Sequence, residues 1–352
     1  MVESAKYLIV GSTKAYSGKS ATVLGIAFQA QAAGLTLAYG APISLEVDGA
    51  IGEDSRFIAE TLGIPQQPTL LSLNPKVIEQ RMSGANGQDY QAQLQQYRSS
   101  SDLVLLEGPA TLREGKLFDL SVEQMAQTLD AKVLLVARYE AVSLIDTILV
   151  AKAQLGDRLC GVVINDIPTD QIDYVNDIIS PFLVAQAIPI YGVLPHSDLL
   201  QSVSVRELVK QLKAEVLCRA DRLSLMVETL KIGAMNVNSA LKYFRKEHHM
   251  AVVTGGDRTD LQLAALETST HCLVLTGHIA PTQEVLSRAE DLEVPILAVD
   301  LDTLTTVEII EKAFGHVRLQ DEIKVQCIRE ITANTLDVPR LLDQLGLVAA
   351  AV

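Results

Sequence analysis

Gly11-Ser12-Thr13-Lys14-Ala15-Tyr16-Ser17-Gly18-Lys19-Ser20 follows directly on the apolar run Tyr7-Leu8-Ile9-Val10, and its reading decides the fold. The apolar run reads as a buried strand that ends in a turn of small residues. A helix is expected from Gly18-Lys19-Ser20 through Ala21-Thr22-Val23-Leu24-Gly25-Ile26-Ala27. Such a turn aims backbone N–H groups at one anion, and the helix N-terminus adds partial positive charge. On this reading Thr13, Ser17, Gly18, Lys19, Ser20 and Ala21 cradle the phosphates of a nucleotide. Lys19 sits on the β- and γ-phosphates, and the Ser20 hydroxyl on Mg²⁺. The common spacing has a glycine five residues before Gly18, where this chain has Thr13.

A second stretch supports the first. Asp102-Leu103-Val104-Leu105-Leu106-Glu107-Gly108-Pro109 is another buried-strand pattern, and it ends in an acid. A carboxylate at the C-terminal end of a strand beside the loop is placed to hold Mg²⁺ or its water, which makes Glu107 a candidate metal ligand.

Further along, Leu35–Gly40, Lys132–Ala137, Gly161–Asn165 and Ile188–Leu194 are short apolar runs. Helical patterns lie between them, including residues 74–100. Near-continuous apolar strands separated by helices predict an α/β fold with a parallel sheet covered on both faces. Ligands of such folds bind at the C-terminal strand ends, where the loop, Glu107, Asn165 and Pro195 fall. The pattern changes near Lys213: residues 215–249 lean helical, and α/β alternation then resumes from Met250. Two domains are expected, over 1–212 and 213–352, the second ending in a packing helix around Pro339–Leu345.

Bulk properties narrow the function classes. The 352 residues are 48% hydrophobic, enough for a core in each of two domains. No apolar run reaches transmembrane length, and the N-terminus lacks a basic leader, so a cytoplasmic protein away from membranes is expected. Residues 1–212 carry 15 Lys/Arg against 23 Asp/Glu and the remainder 14 against 20, so neither part offers a basic face to nucleic acid. There is no Trp, and aromatic residues make up 4%, which leaves little for base stacking. Cys160, Cys218, Cys272 and Cys327 form no C-x-x-C pair and read as small hydrophobes, and the six histidines show no metal spacing.

On these motifs, residues 1–212 resemble the dethiobiotin synthetase-like P-loop family and, more closely, the N-terminal domain of long phosphotransacetylases. The matching pieces are Gly18-Lys19-Ser20, Glu107-Gly108-Pro109, Val163-Ile164-Asn165 and Gly192-Val193-Leu194-Pro195. The second part resembles a DRTGG domain on Gly255-Gly256-Asp257-Arg258-Thr259-Asp260, Leu275-Thr276-Gly277 and Asp302-Thr303-Leu304-Thr305-Thr306. The resemblance implies ATP and Mg²⁺ as ligands, Lys19 as the phosphate lysine, Ser20, Asp54 and Glu107 as metal ligands, and Asn165 as a reader of adenine. It also implies that the phosphotransacetylase catalytic domain would follow these two, so acetyl transfer is not expected of this chain. The family's substrate-side Lys-Pro aligns with Ala41-Pro42, and its glycine-rich turn after the acid is replaced by Pro109-Ala110-Thr111. The nucleotide side is kept and the substrate side is not, which removes a cation that phosphoryl transfer needs.

Several residues keep two readings. Lys14, five positions before Lys19, has the spacing of the extra lysine that deviant P-loop ATPases send across a dimer; it also fits a solvated loop residue. Lys14 and Lys19 are the candidate catalytic cations. Asp257 and Arg258 suit an anion site beside two glycines, or a helix cap with a local ion pair. His196 falls at the binding edge or in a plain loop. Three functions remain open. The first is an ATP- and Mg²⁺-binding regulator, homo-oligomeric or acting on a partner protein. The second is an ATP-dependent ligase that activates a carboxylate or carbamate, with Arg56, Lys14 or Arg113 as substitute cation. The third is an oligomeric scaffold with a vestigial pocket.

Overall fold

The computed structural model describes residues 5–45, 53–97, 99–277, 279–315, 319 and 321–347. The chain divides into two compact units, one of residues up to His196 together with those from Leu319, the other Ser197–Arg318.

The first unit is built on a six-stranded sheet whose strands all run parallel. In spatial order they are Leu37–Gly40, Leu103–Glu107, Lys6–Ser12, Lys132–Arg138, Leu159–Ile167 and Ile190–Pro195. Leu8, Ile9 and Val10, Leu103 through Leu106, Val133 through Val136, and Val162 through Ile164 are all fully buried. These continuous apolar runs form strands because both sheet faces are covered and side chains on either side must be apolar. The chain leaves Lys6–Ser12 for the edge strand Leu37–Gly40, returns to its neighbour Leu103–Glu107, and then builds outward on the other side. The phosphate-type loop after Ser12 therefore lies where the winding direction switches, the place where open α/β sheets form a crevice.

Residues from Leu319 onward complete this unit. Helix Glu322–Thr335 packs on the loop-following helix Lys19–Ala32. A Cβ on Gly25 would come within 2.6 Å of the Thr332 side chain, so glycine permits the close approach. Gln29 Nε2 donates to Thr332 O at 2.8 Å, and the Arg329 guanidinium lies 4.1 Å from the centre of the Phe28 ring. Leu336 then bridges to Gly192, Asp337 N donates to Tyr191 O at 2.8 Å, and helix Val338–Gln344 buries Val338, Leu341 and Leu342.

The second unit has a five-stranded sheet in the order Glu215–Cys218, Ile296–Ala298, Thr270–Thr276, Met250–Gly255, Thr229–Ile232. Its first pair is antiparallel and the others parallel. Alternate side chains serve opposite faces. Met250, Val252, Leu273 and Leu275 pack with Phe244, Leu261 and Val285, while Ala251, Val253, Cys272 and Val274 pack with Leu208, Leu212 and Ile310.

The α/β architecture and parallel sheet are as the sequence predicts; three details differ. Residues 319–352 fall with the first unit rather than the second, because the apolar side of Glu322–Thr335 and Val338–Gln344 covers the loop-following helix and strand Ile190–Pro195. Residues 197–212 fall with the second unit, because helix Val205–Leu212 buries Val205, Leu208 and Leu212 against Val307 and Ile310. The helix-leaning stretch 215–249 holds strands Glu215–Cys218, Met226–Val227 and Thr229–Ile232 and only one α-helix, Val237–Phe244. There, sheet pairing with Ile296–Ala298 and Met250–Gly255 outweighs local propensity. Within 74–100, helices Pro75–Met82 and Tyr90–Gln95 are separated by turns. Among the described residues, no helix is long and apolar enough to cross a membrane.

Candidate functional site

The loop between strand Lys6–Ser12 and helix Lys19–Ala32 is shaped by its own hydroxyls. Ser12 Oγ lies 2.8 Å from Lys14 O and 3.0 Å from Ala110 O, and Ser17 Oγ donates to Lys14 O at 2.8 Å. The helix begins at Lys19, one residue later than expected. Gly18 occupies the cap position with φ 94°, a left-handed conformation that glycine adopts without a steric penalty, and no side chain caps the helix. Thr13 is half-buried in the loop and Ala21 half-buried in the first helical turn.

Lys19 is buried, 8% exposed, and its Nζ donates to Ser12 Oγ at 3.0 Å. Burial pushes its ammonium below the ordinary lysine range, and the carboxylates of Glu107 and Glu114 act in the opposite direction. Glu114 is tied down by accepting from Ala110 N at 2.8 Å. Ser20 and Glu107 meet, with Ser20 Oγ donating to Glu107 Oε1 at 2.8 Å. The other carboxylate oxygen accepts from Tyr39 OH at 3.0 Å, and Tyr39 is fully buried on the neighbouring strand. Asp54 is the second residue of helix Glu53–Leu62, but its side chain lies outside the described residues.

Asn165 reaches the loop itself. Its Nδ2 donates to Ser17 O at 2.9 Å, and a Cβ on Gly18 would stand 2.2 Å from that nitrogen. Pro195 closes strand Ile190–Pro195 in register with Ile167. Beside them Asp166, at φ 62°, is clamped between Arg138 Nε at 2.6 Å and His196 Nδ1 at 2.5 Å, so His196 belongs to a hydrogen-bonded cluster around Asp166 at the strand ends. Lys14 is half exposed. Its Nζ lies 2.5 and 2.6 Å from the two carboxylate oxygens of Glu140, which also accepts from Ser143 Oγ.

Sequence reasoning missed Ser12, Tyr39, Glu114 and Glu140. Tyr39 stands within a recognised strand, where its hydroxyl inside an apolar run was the available signal; Ser12 lay in the recognised turn, and the structure extends the strand to it. Glu114 and Glu140 lie 95 and 121 residues beyond Lys19 in the chain, and no local pattern links them to it.

The chemistry of these groups is anion-directed. An uncapped helix start, a glycine in the left-handed region and a buried ammonium converge at the end of the central strand, and a hydroxyl and a carboxylate meet beside them. That oxygen-only pair suits a hard cation such as Mg²⁺, which keeps several waters and needs few protein ligands. Among the described residues no group of three or more His, Cys, Asp or Glu forms a metal cluster.

In the second unit, Gly255 and Gly256 precede helix Thr259–Leu266. Arg258 holds the cap position without a side-chain cap, so of the two readings the cap by Asp257 is not formed. Arg258 pairs locally, with Asp260 at 3.3 Å and Met235 O at 3.1 Å.

A six-stranded parallel sheet with a Gly-Lys-Ser loop at its switch point defines a P-loop NTPase-like domain. The chain belongs to the family described as an AAA domain, whose model matches residues 6–204, and it carries a DRTGG domain over residues 207–313. The phosphate acetyltransferase of Nitrosomonas europaea is 23% identical over 358 residues, covering 96% of this chain and 51% of that protein. The phosphate acetyltransferase of Synechocystis is 24% identical over 360 residues, with 96% and 51% covered. The chain spans about half the length of these curated relatives. Among solved structures, the CBS and DRTGG domains of the regulatory region of Clostridium perfringens pyrophosphatase, complexed with the activator diadenosine tetraphosphate, align at a TM-score of 0.30. That alignment has 20% identity and covers 41% of this chain and 60% of that one.

Proposed function

We propose that this chain is a nucleotide-responsive regulatory protein that binds ATP with Mg²⁺ at the Lys19 loop. The hydrogen bond from Ser20 to Glu107 carries the proposal, since it assembles a hydroxyl and a carboxylate for a hard cation beside the buried Lys19. On this reading Thr13, Ser17, Gly18 and Ala21 line the phosphates, Lys19 neutralises them, Ser20 and Glu107 hold the metal directly or through water, and Asn165 and Pro195 border the base. The kinship to the N-terminal half of phosphate acetyltransferases supports a regulatory role in which the DRTGG domain or a partner protein, in a homo-oligomer, receives the signal.

Acyl-phosphate ligation finds less support. Ala41 stands where a substrate cation is needed, and Lys14 is taken up by Glu140. Arg113 is exposed, and Arg56 is exposed and lies 3.9 Å from Glu60. The test is calorimetry with ATP, ADP and GTP in Mg²⁺, on wild type and Lys19→Ala, with phosphate release followed on the same samples. ATP binding weakened about 10- to 100-fold in the variant, with little phosphate released, is the expected result. No binding by wild type overturns the proposal, and fast release restores the ligase reading.

A further inference from the structure

The phosphate loop contains two cations, Lys14 and Lys19, and the structure treats them differently. Lys19 is buried and hydrogen-bonded to Ser12 inside the loop. Lys14 turns outward and spends its charge on Glu140, which lies just beyond the end of strand Lys132–Arg138, the neighbour of the loop strand. Both carboxylate oxygens are engaged, at 2.5 and 2.6 Å, and Ser143 donates to the same carboxylate. Glu140 is thereby held on Lys14 from two sides. These two donors also hold its carboxyl below the usual glutamate range. The next cation along the same edge, Arg138, is taken by Asp166.

We propose that Glu140 is a specificity-determining residue of the phosphate site: it withholds Lys14 from the bound nucleotide, so that a phosphate chain must displace a carboxylate before Lys14 can serve it. This rests on the nucleotide-binding reading above. The displacement is an exchange of anions on one ammonium. A triphosphate carries more charge than a diphosphate and gains more from each released cation, while Glu140 repels both in proportion to their charge. Glu140 therefore lowers affinity overall and holds back the triphosphate most. Because the pair is partly exposed, its strength is moderate and falls with salt.

The test is a double-mutant cycle, reading Mg²⁺–ATP and Mg²⁺–ADP affinity at low ionic strength on wild type, Glu140→Gln, Lys14→Ala and the double variant. Glu140→Gln is expected to tighten ATP by about three- to fivefold and ADP by less, with the gain shrinking in high salt. In the Lys14→Ala background the Glu140→Gln gain is expected to shrink to the smaller part that direct repulsion of the phosphates by Glu140 contributes. Unchanged or weaker ATP binding in Glu140→Gln, or an equal gain with and without Lys14, overturns the proposal while leaving nucleotide binding intact. Absence of nucleotide binding in wild type and all variants overturns the nucleotide reading and this one with it. Should Glu140→Gln fail to fold, Ser143→Ala replaces it: loosening the carboxylate is expected to tighten ATP in the same direction, and no change overturns the proposal.

Discussion

Ser20 Oγ donates to Glu107 Oε1 at 2.8 Å across 87 residues of chain, joining the first turn of a helix to the end of the neighbouring strand. The opposite oxygen of the same carboxylate accepts from Tyr39, so the acid is aimed from both sides.

Tyr39→Phe removes that second anchor without opening a cavity. Stability is expected to fall by about 1 kcal/mol, the usual net worth of a buried hydrogen bond. The Mg²⁺ concentration needed for nucleotide binding is expected to rise, while metal-free binding stays the same. Thermal denaturation and a Mg²⁺ titration check this; an unchanged Mg²⁺ requirement removes Tyr39 from the site.

Lys19→Ala is expected to weaken nucleotide binding by about 10- to 100-fold, the value of a charge-assisted hydrogen bond. The ligand-free protein is expected to lose no stability, because burial already disfavours the Lys19 charge. A large drop in melting temperature would show that Lys19 is a structural residue instead.

Gly18→Ala places a Cβ 2.2 Å from Asn165 Nδ2 at a φ of 94°, so it is strained both by contact and by conformation. A loss of about 1–3 kcal/mol is expected. Adding Asn165→Ala relieves the contact and leaves the conformational part, so chemical denaturation of the double variant is expected to recover part of the loss.

Lys324 is 1% exposed on the helix that covers Lys19–Ala32, and burial lowers its pKa from 10.5 to about 8, against the opposing pull of Asp321. Below about pH 8 both folded and unfolded chains carry the proton and the penalty is constant. Between 8 and 10.5 the unfolded chain binds more protons, so stability rises with pH. The gain relative to Lys324→Met is expected to be on the order of 1–3 kcal/mol by pH 10. Parallel slopes in the two proteins refute it.

Residues 197–318 are expected to unfold cooperatively as an isolated piece. Residues 213–352 are not, since that cut removes helix Val205–Leu212 from its core and leaves Glu322–Thr335 without the helix it covers. Circular dichroism melts of the two pieces decide the boundary.

The phosphate loop and the central strands were legible because they are local patterns: an apolar run, small residues, then Gly18-Lys19-Ser20. Glu107 was legible because its strand announces where it ends. The partnerships of the site were not. Tyr39 reads as one more strand residue and no sequence motif includes Glu140; pairing of the parallel strands sets them beside Glu107 and Lys14. The stretch 215–249 misled because short strands at the margins of a sheet take their conformation from their neighbours.

By itself the amino-acid sequence determined that this is an α/β chain with a phosphate-type loop, since strand periodicity and glycine placement act over a few residues, and its resemblance to a DRTGG domain rested on short motifs of the same local kind. Only the tertiary structure decided where the units divide, what holds Glu107 in place and what occupies Lys14. These depend on contacts between residues tens to hundreds of positions apart, and burial and charge pairing at that range are set by packing that no local pattern encodes.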